Sequence, residues 1–98
     1  MNVRFTPDAR ADVANARLWY RQRDPVLGTR FLDAVEECVP QIVAHPEIGP
    51  IVEEPIRGLL LRGFPFSVFY RLYPDEAVVI ACVHGARSPQ VWRRRGAG

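Results

Sequence analysis

The chain has 98 residues, 48% of them hydrophobic, with ten aromatic side chains and a formal charge of +2. That length and composition suit one small folded domain and exclude a disordered segment; the near-neutral balance excludes a protein that is an electrostatic magnet for nucleic acid as a whole. All thirteen basic residues are arginine, a group that stays protonated, clamps phosphate or carboxylate, and makes a poor general base.

Residues 2–6, NVRFT, alternate and predict a short first strand. Thr6-Pro7-Asp8 is a helix start: a capping hydroxyl, proline at the first helical position and an acid at the positive end of the dipole. Ala9, Val13, Ala16 and Tyr20 then mark one stripe of a helix ending near Arg23, with Trp19 beside it. Asp24-Pro25 repeats the punctuation and opens a second helix, whose apolar face is Leu27, Phe31, Ala34, Val35, Cys38 and Ile42. Pro40 removes a hydrogen bond and predicts a kink near Val39 or a break with Pro40 opening a last turn. The helix stops by His45-Pro46.

PEIGPIVEEP, residues 46–55, is expected to be a loop. Beyond it, IRGLLLR, FSVFYRLY and AVVIACVHG are rich in β-branched and aromatic residues and separated by short turn signals, which favours antiparallel neighbours. The expected architecture is α+β, in the order β-α-α-β-β-β, with a helical hairpin packed on a mostly antiparallel four-stranded sheet. Phe66, Val68, Tyr70 and Leu72 should meet the helices. Phe69 and Arg71 fall on the other face, where uncovered apolar surface would imply a partner. Parity alone does not decide which set of the last strand is inside.

Cys38 and Cys82 read as buried thiols, and His45 and His84 are too far apart for zinc-ligand spacing, so no metal and no cofactor are expected. No apolar run is long enough for a bilayer, and the N-terminus lacks a signal-peptide core, so a cytoplasmic protein without membrane partners is expected.

The element order, the WY pair near the end of the first helix, GTRFLDAVEECVPQIVAHP, IRGLLLRGFPFSVFYRLY and the close VHGARSPQVWRRR together resemble the RelE/ParE superfamily of toxins from bacterial toxin–antitoxin systems. The resemblance covers almost the whole chain. It implies one toxin domain over residues 1–98 and a cognate antitoxin as partner. It also implies one of two targets: DNA gyrase for ParE-like members, which are not nucleases, or the ribosome and its messenger RNA for RelE-like members, which cut the message.

Metal-free cleavage of RNA needs a base, an acid and cations for the phosphate. His84 is the candidate base, and Arg57, Arg62 and Arg87 are the candidate cations; Tyr70 and Tyr73 are acids by residue type only. The lysine-dependent version of the RelE-like site is absent. Cations without an acid–base pair favour the ParE-like branch, a toxin that acts by binding rather than by catalysis; the alternatives are a RelE-like, metal-independent messenger ribonuclease and a degenerate toxin that retains only antitoxin binding. Trp19, Phe69, Arg71, Trp92, Arg93 and Arg95 are the expected partner-binding residues, with Trp92 also expected to tether the end of the chain and Arg93–Arg95 to form a basic end.

Overall fold

The structure is a computed structural model and describes residues 1–85 and 89–96. β1 (Asn2–Phe5) leads directly into α1 (Pro7–Arg23). Thr6 is the cap: its hydroxyl oxygen accepts from the Ala9 N–H at 3.1 Å, satisfying one of the donors a helix start leaves unpaired. Asp24 then serves two helices at once. Its N–H closes α1 on the Tyr20 carbonyl at 3.0 Å, and its carboxylate accepts from Val26 N–H at 2.9 Å to open α2 (Pro25–Ala44). One residue thus makes the joint of the hairpin, and the helices meet closely at Gly28.

The expected side of α2 is buried: Phe31, Ala34, Val35, Cys38 and Ile42 all lie in the core. Pro40 does not break the helix. It lies on the exposed side, where the carbonyl it leaves unpaired, that of Glu36, can be solvated, so one lost bond is tolerated without ending the ladder.

Four more strands follow: β2 (Ile51–Glu53), β3 (Ile56–Leu60), β4 (Ser67–Leu72) and β5 (Glu76–Val83). Their order in the sheet is β1-β5-β4-β3-β2. The α+β class is as read from the sequence, but the sheet has five strands rather than four and is mixed, because β1 runs parallel to β5, with Val3 opposite Ala77 and Phe5 opposite Val79. β2 lay within the expected loop. Its three residues are all exposed, so burial imposes no alternation on them for a pattern to reveal.

α1 and α2 cover one face of the sheet, where Phe31, Val68, Tyr70 and Val79 share a core. Phe66 and Leu72 pack at its border. The other face is not open. A third helix, α3 (Pro89–Gly96), lays Trp92 over Ile56, Phe69, Val78, Ile80 and Ala81. The expectation of an uncovered face beside Phe69 is therefore corrected: Phe69 is 3% exposed and its ring stacks on Trp92 at 5.3 Å.

The last strand is buried on both sides, and its alternation changes midway. Phe69 pairs with Ala81 but Tyr70 pairs with Val79, leaving Ile80 as the extra residue of a bulge. Ala77 and Val79 face the hairpin before it and Cys82 after it; Val78, Ile80 and Ala81 face α3. No single parity could describe this strand.

Candidate functional site

Where β1 gives way to α1, the edge of β5 beyond Val79 loses its strand partner. Two side chains take over. Asp12 accepts from the Cys82 N–H at 3.0 Å, and Arg95 donates to the Ile80 carbonyl at 3.0 Å. The two also bond each other, with Arg95 Nη1 2.6 Å and Nη2 3.3 Å from the two carboxylate oxygens of Asp12. This hydrogen-bonded carboxylate raises the pKa of Arg95 further, so the clamp keeps its charge.

Beside the clamp lies an open cleft of about 590 Å³ between α1 and the ends of β4 and β5. Trp19, Tyr20, Pro65 and Phe66 supply its apolar walls, and Asp12, Asn15 and His84 its polar groups. Tyr20 is held by stacking on Phe31 at 5.4 Å and by an edge contact with Phe64 at 4.9 Å. Burial raises the pKa of its phenol, with nearby Arg23 opposing, so at neutral pH it carries its proton. Burial likewise pushes the Cys82 thiol up to about 12, with Asp12 adding to the shift. Trp19 stands at the mouth, 50% exposed, with the Arg23 guanidinium 3.2 Å from its ring centroid.

His84 reaches this cleft and makes an edge contact with Phe66 at 6.2 Å. Its Nδ1 is buried and has no hydrogen-bond partner among the described residues. Arg57 and Arg62 do not gather around it. Arg57 spends Nη1 on the carbonyls of Glu47 and Gly49, at 3.1 and 2.9 Å. Arg62 lines a separate cleft with Arg30, Asp33 and Glu37. Arg87 lies outside the described residues. Tyr70 is fully buried; its hydroxyl donates to Pro46 O at 2.8 Å and accepts from Gly49 N at 2.9 Å. Among the described residues, no arginine lines the His84 cleft.

The residues expected to bind partners separate into two groups. Trp19 is open to solvent, and Arg93 is an exposed cation 3.3 Å from Glu53. Phe69 and Trp92 cover each other, Arg71 donates to Gly96 O at 3.2 Å, and Arg95 is held by Asp12. The helix explains the division: Trp92, Arg95 and Gly96 sit at spacings of three and four and turn inward, whereas Arg93 and Arg94 turn out. Asp12 was missed in the sequence. The signal was present, since it falls three residues after Ala9 and four before Ala16, the two buried positions of α1.

Residues 3–89 match the family described as the ParE toxin of the type II toxin–antitoxin system parDE. The chain belongs to this family. Consistent with that, it is 32% identical over 85 residues to Toxin RelE3 of Caulobacter vibrioides, covering 85% of this chain and 92% of the relative. The fold of the toxin is also that of a chain from the chromosomal ParDE toxin–antitoxin system of P. aeruginosa, with a TM-score of 0.56, 24% identity, and coverage of 85% and 94%. Among the described residues of the toxin, no helix is long and apolar enough to cross a membrane.

Proposed function

We propose that this toxin acts in the cytoplasm as a ParE-like inhibitor, binding a macromolecular target, DNA gyrase, without cutting RNA, and that a cognate antitoxin neutralises it. The observation that supports a binding mode is the dispersal of the described cleavage candidates, Arg57, Arg62 and His84. Arg57 is committed to backbone carbonyls, Arg62 faces another cleft, and the walls around His84 are mainly apolar. Stabilising a phosphorane-like charge requires preorganised donors aimed at one point. Arg57 and Arg62 are aimed elsewhere.

One observation favours the second reading, a RelE-like ribosome-dependent ribonuclease: His84 and Tyr20 share a cleft, and a relative bears the RelE name. On that reading His84 is the base and the ribosome supplies part of the electrostatics. Purified toxin added to a gyrase supercoiling reaction and to a translating extract separates the two. Loss of supercoiling with intact message is expected. Message cut by the wild type and spared by His84→Ala would overturn the proposal.

A further inference from the structure

The two helices of the hairpin show opposite charge to solvent. α1 exposes Arg10, Arg17, Arg21 and Arg23, while both of its carboxylates, Asp8 and Asp12, turn to Arg95 at 3.9 and 2.6 Å. α2 exposes Asp33, Glu36 and Glu37, with Arg30 alone opposing them. None of these exposed groups forms an ion pair among the described residues, although the helices lie side by side. The side of the hairpin turned away from the sheet is also partly apolar. Opposite the buried Ala9 and Ala16, α1 places Ala11, Ala14 and Leu18 in one stripe at spacings of three and four. Leu18 is 47% exposed there. Opposite the buried side of α2 stand Thr29, Asp33, Glu36 and Pro40. Small side chains on α1 allow another helix to come close.

We infer that this side of the hairpin pairs with the same side of a second copy of the chain, α1 of each lying along α2 of the other. A two-fold axis parallel to the helices produces that arrangement. Its register follows from the hairpin itself. Gly28 meets Arg21, and each step back along α1 matches a step forward along α2, so Arg17 is level with Leu32 and Arg10 with Val39. The two-fold keeps those levels. It sets Arg17 of one copy beside Asp33 of the other, and Arg10 beside Glu36, each within about 5 Å along the helix axis.

The order of the charges selects this occupant. A nucleic acid drawn to the arginines of α1 would lie against the carboxylates of α2 beside them, and an acidic helix would meet the same repulsion. A second copy presents the reverse order, positive against negative on both sides of the axis, and makes each contact twice. The shared length is about 25 Å. That is small for a specific interface, so the dimer should form in the micromolar range and weaken with salt. Self-association of this kind is independent of the target that the toxin inhibits.

The test is sedimentation equilibrium of the purified toxin. The wild type should dimerise, whereas Arg10→Glu/Arg17→Glu and Asp33→Arg/Glu36→Arg should each stay monomeric, because the facing positions of either variant then carry one sign. Mixed in equal amounts, the two variants should pair with each other about as tightly as the wild type does, since every contact again joins opposite charges. All four positions are exposed, and melting curves near that of the wild type confirm folding. A wild type that stays monomeric well above the micromolar range overturns the inference. So do double variants that dimerise unimpaired, or a mixture that stays monomeric although both variants melt normally. Should either double variant melt early, Leu18→Arg decides: a loss of about ten-fold or more in dimer affinity upholds the interface, and unchanged affinity overturns it.

Discussion

Arg95 and Asp12, from opposite ends of the chain, form a two-pronged ion pair with contacts of 2.6 and 3.3 Å. The pair holds α3 against β5 and α1 together, and it satisfies the backbone groups of Ile80 and Cys82 that no strand reaches. Removing one partner leaves the other charge partly buried and a backbone group unpaired. Asp12→Asn and Arg95→Gln should each destabilise the fold by about 2 kcal/mol. The double variant should cost less than their sum, as measured by urea unfolding. In a Trp19→Phe background, Arg95→Gln should shift Trp92 emission to the red as α3 loosens.

At Gly28 the hairpin leaves almost no space. A Cβ there would sit 2.9 Å from Arg21 Cβ and 3.2 Å from its Cα. Gly28→Ala gains about 1 kcal/mol of helix propensity, yet the backbone of α1 must move to admit the methyl group. A net loss of about 1–2 kcal/mol is expected from overpacking. A rise in the denaturation midpoint would show that the helices separate freely.

Tyr70 and Arg57 fasten the segment between α2 and β2. The phenol bonds Pro46 and Gly49 from within the core, and Arg57 bonds the carbonyls of Glu47 and Gly49. Tyr70→Phe removes the hydroxyl and strands a buried N–H, at a cost of about 1–2 kcal/mol. Arg57→Gln should raise amide exchange in residues 46–49. If Arg57 instead held a phosphate, the substitution would reduce activity while leaving that exchange unchanged.

Alkaline pH should destabilise the protein. Burial pushes Cys38 up to about 11 and Cys82 to about 12, from an ordinary value of 9.0, and burial also raises Tyr70. Between the ordinary and folded values, the unfolded chain has released protons that the native chain retains, so stability falls as pH rises. The contribution is fully present below about pH 9. Each thiol then removes up to about 1.4 kcal/mol per pH unit until its folded value is passed. Urea midpoints taken from pH 7.5 to 10.5 should show this decline, and a Cys38→Ala/Cys82→Ala variant should show a shallower one. Neither thiol should react with iodoacetamide at pH 8 in the native state.

Local signals carried much of the architecture. Thr6-Pro7 and Asp24-Pro25 marked the starts of α1 and α2 because capping is chemistry within three residues. The period of Phe31, Val35, Cys38 and Ile42 marked the buried side of α2, and Phe66, Val68, Tyr70 and Leu72 marked the side of β4 that meets the hairpin. β2 escaped notice because an exposed edge strand of three residues has no pattern to enforce. The site was less legible. Trp19 and His84 were visible as residue types, but the cleft joining them needs α1 to lie along the end of the sheet.

What the residue order determined by itself was β1, the helical hairpin, the three late strands and the buried sides of α2 and β4, since capping, turn chemistry and hydrophobic period all act within a few residues. Only the tertiary structure decided that β1 runs parallel to β5, that a bulge at Ile80 turns the last strand, and that Arg95 faces Asp12 instead of solvent. Those outcomes pair groups far apart in the chain. Their energies depend on which surfaces remain to be covered once the local elements have formed.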